Sequence, residues 1–89
     1  MTDMKQFEYK IQDPDGIQAQ PAVLLGKKVK EFNGTTVTVS KSGNSVLATK
    51  LMALIGLDVR CGDTVTVTVE GGDEEGASNA IEMLMNENM

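Results

Sequence analysis

Histidine and tryptophan are missing from this chain of 89 residues, and cysteine occurs once, as Cys61. Without imidazole, the side chain that most readily exchanges protons near pH 7 is gone, and so is the usual activator of a catalytic thiol. One thiol cannot close an intramolecular disulfide, and without histidine it cannot complete a zinc site, so neither a metal nor a cofactor is expected. Aromatic residues are scarce as well, with one tyrosine and two phenylalanines. The core of a single domain over residues 1–89 must therefore be packed from valine, leucine, isoleucine and methionine, with little surplus stability.

Long apolar runs are also lacking. The most aliphatic stretch, Leu51 to Leu57, is too short to span a bilayer, and Met1 to Lys10 is too polar for a signal peptide, so a cytoplasmic chain without membrane insertion is expected. Positive charge is in deficit, eight basic residues against thirteen acidic, for a net charge of −5. That balance opposes nonspecific attraction to nucleic acid or anionic lipid. The charges are unevenly spread, however. Lys27, Lys28 and Lys30 cluster, while Glu70, Asp73, Glu74, Glu75, Glu82 and Glu87 load the C-terminal part. A basic patch on an acidic protein suits a protein partner with an acidic docking surface.

Phe7, Tyr9 and Ile11 alternate with polar residues, which predicts a strand over about residues 5–12, closed by the turn Asp13-Pro14-Asp15-Gly16. From Pro21 to about Phe32, the apolar positions Ala22, Leu25, Val29 and Phe32 recur at helical intervals. Val23, Lys27 and Lys30 form a second stripe, which reads either as a solvated face or as a partner contact. Gly26 interrupts this helix at a cost on the order of 1 kcal/mol relative to alanine, and nothing in the sequence accounts for it. Asn33-Gly34 stops the helix. Thr36 to Val39 and Ser45 to Ala48, joined by Lys41-Ser42-Gly43-Asn44, predict a β-hairpin. Leu51 to Leu57 predicts a short helix closed by Gly56, with Leu54 and Leu57 in the core. Thr64 to Val69 alternates threonine with valine and is the plainest strand, its valines buried and its threonines in solvent. After Gly71-Gly72, Asp73 can cap a last helix with Glu74 and Glu75 in its first turn and Ala77, Ala80, Ile81 and Leu84 as its buried stripe. The order β-α-β-β-α-β-α, with one-sided strands and one-sided helices, predicts an α+β fold of two layers: a four-stranded antiparallel sheet covered on one face by three helices.

The segment Gly16-Ile17-Gln18-Ala19-Gln20-Pro21-Ala22 organises the rest. Glycine permits a tight turn, proline pre-sets the first turn of a helix, and the N–H groups of such a start can face an anion. Gly16-Ile17-x-Ala19-x-Pro21-Ala22 resembles the active-site segment Gly-Ile/Leu-His-Ala-Arg-Pro-Ala of HPr, the phosphocarrier family of the bacterial phosphoenolpyruvate:sugar phosphotransferase system. The element order, the hairpin turn and the Gly-Gly-Asp-Glu-Glu start of the last helix extend this likeness over essentially the whole chain, and the resemblance implies an open-faced β-sandwich. It also implies enzyme I, a sugar permease domain or a transcriptional regulator as partner. The partner-facing positions would then be Gln18, Gln20, Val23, Lys27, Lys30, Lys50, Leu51, Met52 and Ile55.

The departures from the family's motif fall on its chemistry. Gln18 stands where the resemblance places the phosphorylated histidine, and an amide has no basic nitrogen to accept a phosphoryl group. Gln20 stands where it places the arginine, removing a charged fork of donors. A branch of the family named Crh also has glutamine for the histidine and keeps a regulatory serine at the start of the short second helix, in carbon catabolite repression; here that position is Lys50. Thr49 precedes it, but a shift of one residue turns a side chain about 100° around a helix. The degenerate pair leaves no catalytic residue, and a non-enzymatic regulatory or binding module is expected. The alternative is a working phosphocarrier in sugar uptake with another acceptor, for which Asp13 and Asp15 are the nearby acids. A third reading is a corepressor in which Lys50 replaces a switch by a constant charge.

Overall fold

The computed structural model describes residues 4–14, 16–17 and 19–89. It contains β1 (Met4–Lys10), α1 (Ala19–Lys30), β2 (Thr36–Lys41), β3 (Asn44–Leu47), α2 (Leu51–Gly56), β4 (Thr64–Glu70) and α3 (Glu74–Asn88). The four strands form one antiparallel sheet in the order β1-β4-β2-β3. This is the expected open-faced α+β sandwich.

Period-two patterning decides which face is covered. Val67 of β4 lies opposite Phe7 of β1 and Val39 of β2, and Val65 lies opposite Tyr9. Directly opposed residues share a face, so these side chains form one apolar layer. Val37, Val39, Val65, Val67 and Val69 are fully buried there against Leu25, Leu54 and Ile81 of the three helices. The opposite face carries Thr36, Thr38, Thr64, Thr66 and Thr68. Thr64 and Thr36 are exposed, but Thr66, Thr68 and Thr38 are half-buried rather than fully in solvent. Side chains on neighbouring strands shade them, as where Gln6 Nε2 donates to Thr68 Oγ1 at 3.2 Å.

The hairpin turn is tighter than expected, because β2 runs to Lys41 and β3 begins at Asn44. Ser42 and Gly43 both take positive φ, 52° and 85°, the primed turn that matches strand twist. Asp73 caps α3 as expected, its Oδ1 accepting from the Gly76 N–H at 3.1 Å.

Three other expectations are corrected. α1 begins at Ala19 rather than Pro21 and ends before Phe32, which is half-buried beyond it. Proline fits inside a first turn because the N–H groups there have no partner within the helix. The buried line of α3 is Ala77, Ile81, Met85 and Met89, with Ala80 and Leu84 only half-buried. The line follows a strict four-residue spacing that methionine fills as well as leucine does. Gly56 does not close α2: it lies within the helix, Leu57 follows in right-handed geometry half-buried, and Asp58 takes the left-handed conformation, φ 54°.

Replacing Val67 by alanine should cost about 1–3 kcal/mol, through lost methyl burial and the cavity left behind. Thr66→Ala, one residue along on the other face, should cost well under that. Urea unfolding of both variants measures the difference, and equal losses would mean that both faces are covered.

Candidate functional site

Gln18 and Asp15 lie outside the described residues, and the site is built from what flanks them. Gly16 turns with φ 71°, and a Cβ at this position would collide with the Val59 carbonyl oxygen and sit 2.9 Å from Arg60 Cα. Only glycine fits, on two independent grounds, conformation and space. The Gly16 N–H donates to the Asp13 carbonyl at 2.9 Å and the Ile17 N–H to the Val59 carbonyl at 3.1 Å. These two donors are therefore spent within the protein. Those of Ala19 and Gln20, both exposed, belong to the first turn of α1, where a helix leaves N–H groups over, and Pro21 has none.

The loop after α2 is the seat on which Gly16 and Ile17 rest. Lys41 Nζ, at the end of β2, donates to the Asp58 carbonyl at 2.6 Å and pairs with Asp63 Oδ2 at 2.9 Å. The same Asp63 oxygen accepts the Arg60 N–H at 2.9 Å. Strand β1 is fastened to this loop by Ile11 N–H to the Asp63 carbonyl, 2.9 Å, and Gly62 N–H to the Ile11 carbonyl, 2.8 Å. From the other side, the N–H groups of Gln12 and Asp13 donate to the Met89 carbonyl at 2.7 and 2.8 Å. The lysine ammonium and the Arg60 N–H hold the Asp63 carboxyl below its ordinary value.

Two hollows flank the start of α1. One, with Pro14, Ile17, Ala19, Ile55 and Val59, carries the Asp58–Arg60 pair, whose Nη2–Oδ2 distance is 3.0 Å. Both partners are well exposed, so the pair adds little stability. The other hollow runs between α1 and residues 48–51, with Val23, Lys27, Lys30 and Leu51 around it and Ala22, Gly26 and Ala48 in its floor.

The sequence-predicted positions divide accordingly. Val23, Lys27, Lys30 and Leu51 are brought together, with Val23 and Leu51 each 37% exposed. Met52 is 78% exposed on α2, outside both hollows. Ile55 belongs to the first hollow, half-buried against the core. Gln20 is exposed on the first turn of α1. Lys50 is exposed at the N-cap of α2 and makes no side-chain cap bond. Sequence reasoning gave no part in the site to Asp58 or Asp63 and placed Lys41 only in the hairpin turn. It singled out Gly26 without a reason, and the glycine proves to line the second hollow. Cys61 is exposed, with Sγ 3.7 Å from the Gln12 carbonyl. Among the described residues, no cluster of acids and thiol could hold a metal ion, and no helix is long and apolar enough to cross a membrane.

Known proteins share this arrangement. The family described as PTS HPr component phosphorylation site matches residues 5–87. The phosphocarrier protein HPr of Mycoplasma genitalium is 34% identical over 85 residues, which cover 96% of this chain and 97% of that protein. The HPr-like protein Crh of Halalkalibacterium halodurans is 35% identical over 77 residues, covering 86% of this chain and 88% of its own. The crystal structure of phosphocarrier protein HPr from Bacillus anthracis superposes with a TM-score of 0.82 at 30% identity, over 91% of this chain and 95% of that one. The chain belongs to the HPr family and is Crh-like, with a Crh among its relatives.

The Lys41–Asp63 link makes stability depend on pH in acid. Because the folded state lowers the Asp63 pKa, its contribution is complete above about pH 4, the unfolded value, and is lost as pH falls through the lower folded value. The stability difference between wild type and Asp63→Asn, measured by urea unfolding across pH 2 to 7, should be constant near neutrality and shrink towards zero in acid.

Lys50 places a cation at the positive end of α2, where a hydroxyl would serve better. Lys50→Ser should raise unfolding free energy by about 1 kcal/mol by supplying the missing cap. No gain in chemical denaturation would show that the first turn of α2 is satisfied by other means.

Proposed function

We propose that this chain is a non-catalytic docking module of the phosphotransferase system or of catabolite regulation, one that binds HPr partners without carrying a phosphoryl group. The observation that carries this reading is the contrast within residues 16–22. The backbone features are kept, with Gly16 seated on Val59 and Pro21 in the first turn of α1. The two side chains that would do the chemistry are amides, Gln18 and Gln20. An amide cannot take up a phosphoryl group or offer it a positive charge.

Docking would use Gln18, Gln20, Val23, Lys27, Lys30, Lys50, Leu51, Met52 and Ile55. Exposed apolar side chains beside lysines supply contact area and long-range attraction at once, which suits an acidic protein surface. Enzyme I, sugar permease domains and transcriptional regulators are the candidate partners, in keeping with the family, and the cytoplasm is the compartment where they would meet. As a single HPr-like domain over residues 1–89, the chain would act by occupying a partner's docking site rather than by turning over a substrate.

Incubation with phosphoenolpyruvate and enzyme I should leave the intact mass unchanged. A gain of one phosphoryl group would overturn the reading in favour of a working carrier with another acceptor. Restoring the chemistry is the complementary test: Gln18→His should be phosphorylated slowly, and Gln18→His with Gln20→Arg about ten- to a hundredfold better, the value of a charge-assisted pair.

A further inference from the structure

Asn33 and Gly34 form a gap in the bonding of the turn between α1 and β2. On one side Phe32 packs half-buried against the core, its N–H donating to the Val29 carbonyl at 3.0 Å. On the other, the Thr35 N–H reaches back to the Phe32 carbonyl at 3.3 Å and the Thr35 hydroxyl donates to the Gly71 carbonyl at 3.0 Å. Between these anchors both residues are exposed, and among the described residues neither the Gly34 N–H nor the Asn33 side-chain amide has a hydrogen-bond partner. Gly34 takes φ 79°, and beyond its chain neighbours nothing lies within 4 Å of where a Cβ would stand.

Asparagine is a thermolabile side chain. The nucleophile that attacks it is the backbone nitrogen of the following residue, and glycine, having no side chain, hinders that approach least. The other asparagines, Asn44, Asn79, Asn86 and Asn88, precede Ser45, Ala80, Glu87 and Met89, and the last three lie in α3. Gly16, which follows an aspartate, has its N–H committed to the Asp13 carbonyl. We propose that Asn33 is a modification site, at which the folded protein deamidates by attack of the Gly34 backbone nitrogen on the Asn33 side-chain carbonyl carbon. The Gly34 nitrogen gives its proton to solvent base and bonds to Cγ, while the bond from Cγ to Nδ2 breaks and Nδ2 leaves with a proton as ammonia. Water then opens the cyclic imide. Breaking the new bond to Cγ gives aspartate, and breaking the bond to the Asn33 main-chain carbonyl carbon gives isoaspartate.

The two products act differently on the fold. Aspartate keeps the main chain and adds one negative charge near the lysines of the last turn of α1. Isoaspartate carries the main chain through Cγ, lengthening by one carbon a turn that is packed against Gly71 and Gly72. A Cβ on Gly71 would lie 2.6 Å from the Gly34 carbonyl oxygen, and one on Gly72 3.0 Å from the Asn33 carbonyl oxygen, so the two turns have no slack on that side. The change is one-way and stands apart from the docking reading.

The whole chain, held in warm, mildly alkaline buffer over days, should gain about one mass unit and one negative charge, and the tryptic peptide 31–41 should carry both. Protein isoaspartyl methyltransferase should methylate part of the product. That isoaspartyl fraction should melt several degrees below fresh protein, whereas freshly prepared Asn33→Asp should melt within about a degree of it. Asn33→Gln should abolish the change without altering the melting temperature, because glutamine must close a larger ring. If the isolated peptide deamidates while Asn33 in the folded chain does not, or if the gain maps first to another asparagine, the site is overturned. An isoaspartyl form as stable as fresh protein would overturn the strain assigned to the turn.

Discussion

The contact on which the site depends is the approach of Gly16 to the carbonyl of Val59. It joins the turn after the first strand to the loop before the last one, and it can exist only because position 16 has no side chain. Everything nearby follows from it. The Ile17 N–H is drawn to Val59, so the chain enters α1 in a set direction, and Pro21 falls in the first turn, where its missing N–H costs nothing. The loop that receives Gly16 is itself held at its far side by Lys41, which reaches across from the end of β2. The start of α1 is thus braced by the loop after α2 and, behind it, by the end of β2 rather than by its own residues alone.

How much of this could be read from the sequence depends on the range over which each feature is decided. Thr64 to Val69 was legible because alternation is a local pattern with one solution in a two-layer fold. Asp73 was equally plain, since a cap acts on a backbone group three residues away. The closing of α2 was not. A glycine near a helix end is the commoner choice for the left-handed position, but the Asp58 carbonyl is bonded to Lys41 and its carboxylate lies against Arg60, partners that appear only once the strands are paired. Met85 and Met89 were missed for a different reason. Methionine is at home in a core or on a surface, so only the register of α3 against the sheet shows which face it takes.

Gly26 illustrates the same limit in the site. Within the helix it reads only as a small loss of stability. Its setting appears when Ala48 and Thr49 are brought beside α1, because it lines a hollow whose other walls come partly from elsewhere in the chain. The partner-facing positions suggested by resemblance show a related pattern. Val23, Lys27, Lys30 and Leu51 converge on one hollow, while Ile55 lies in another and Met52 stands clear of both. Residues that share an exposed side of a protein need not share a pocket.

The two kinds of change at the start of α1 have different physical costs, and that difference bears on what the chain does. An uncharged amide at Gln20 costs folding little, because this side chain is exposed in the first turn of α1 rather than in the core. Losing Gly16 would force a side chain into the Val59 carbonyl, and losing the link between Lys41 and Asp63 would loosen the loop beneath it. Yet a helix start needs neither device merely to exist, since many are capped by a single hydroxyl or carboxylate. In the docking reading proposed above, an exposed, externally braced helix start with apolar side chains and lysines beside it supplies recognition by shape and charge, which needs no reactive group.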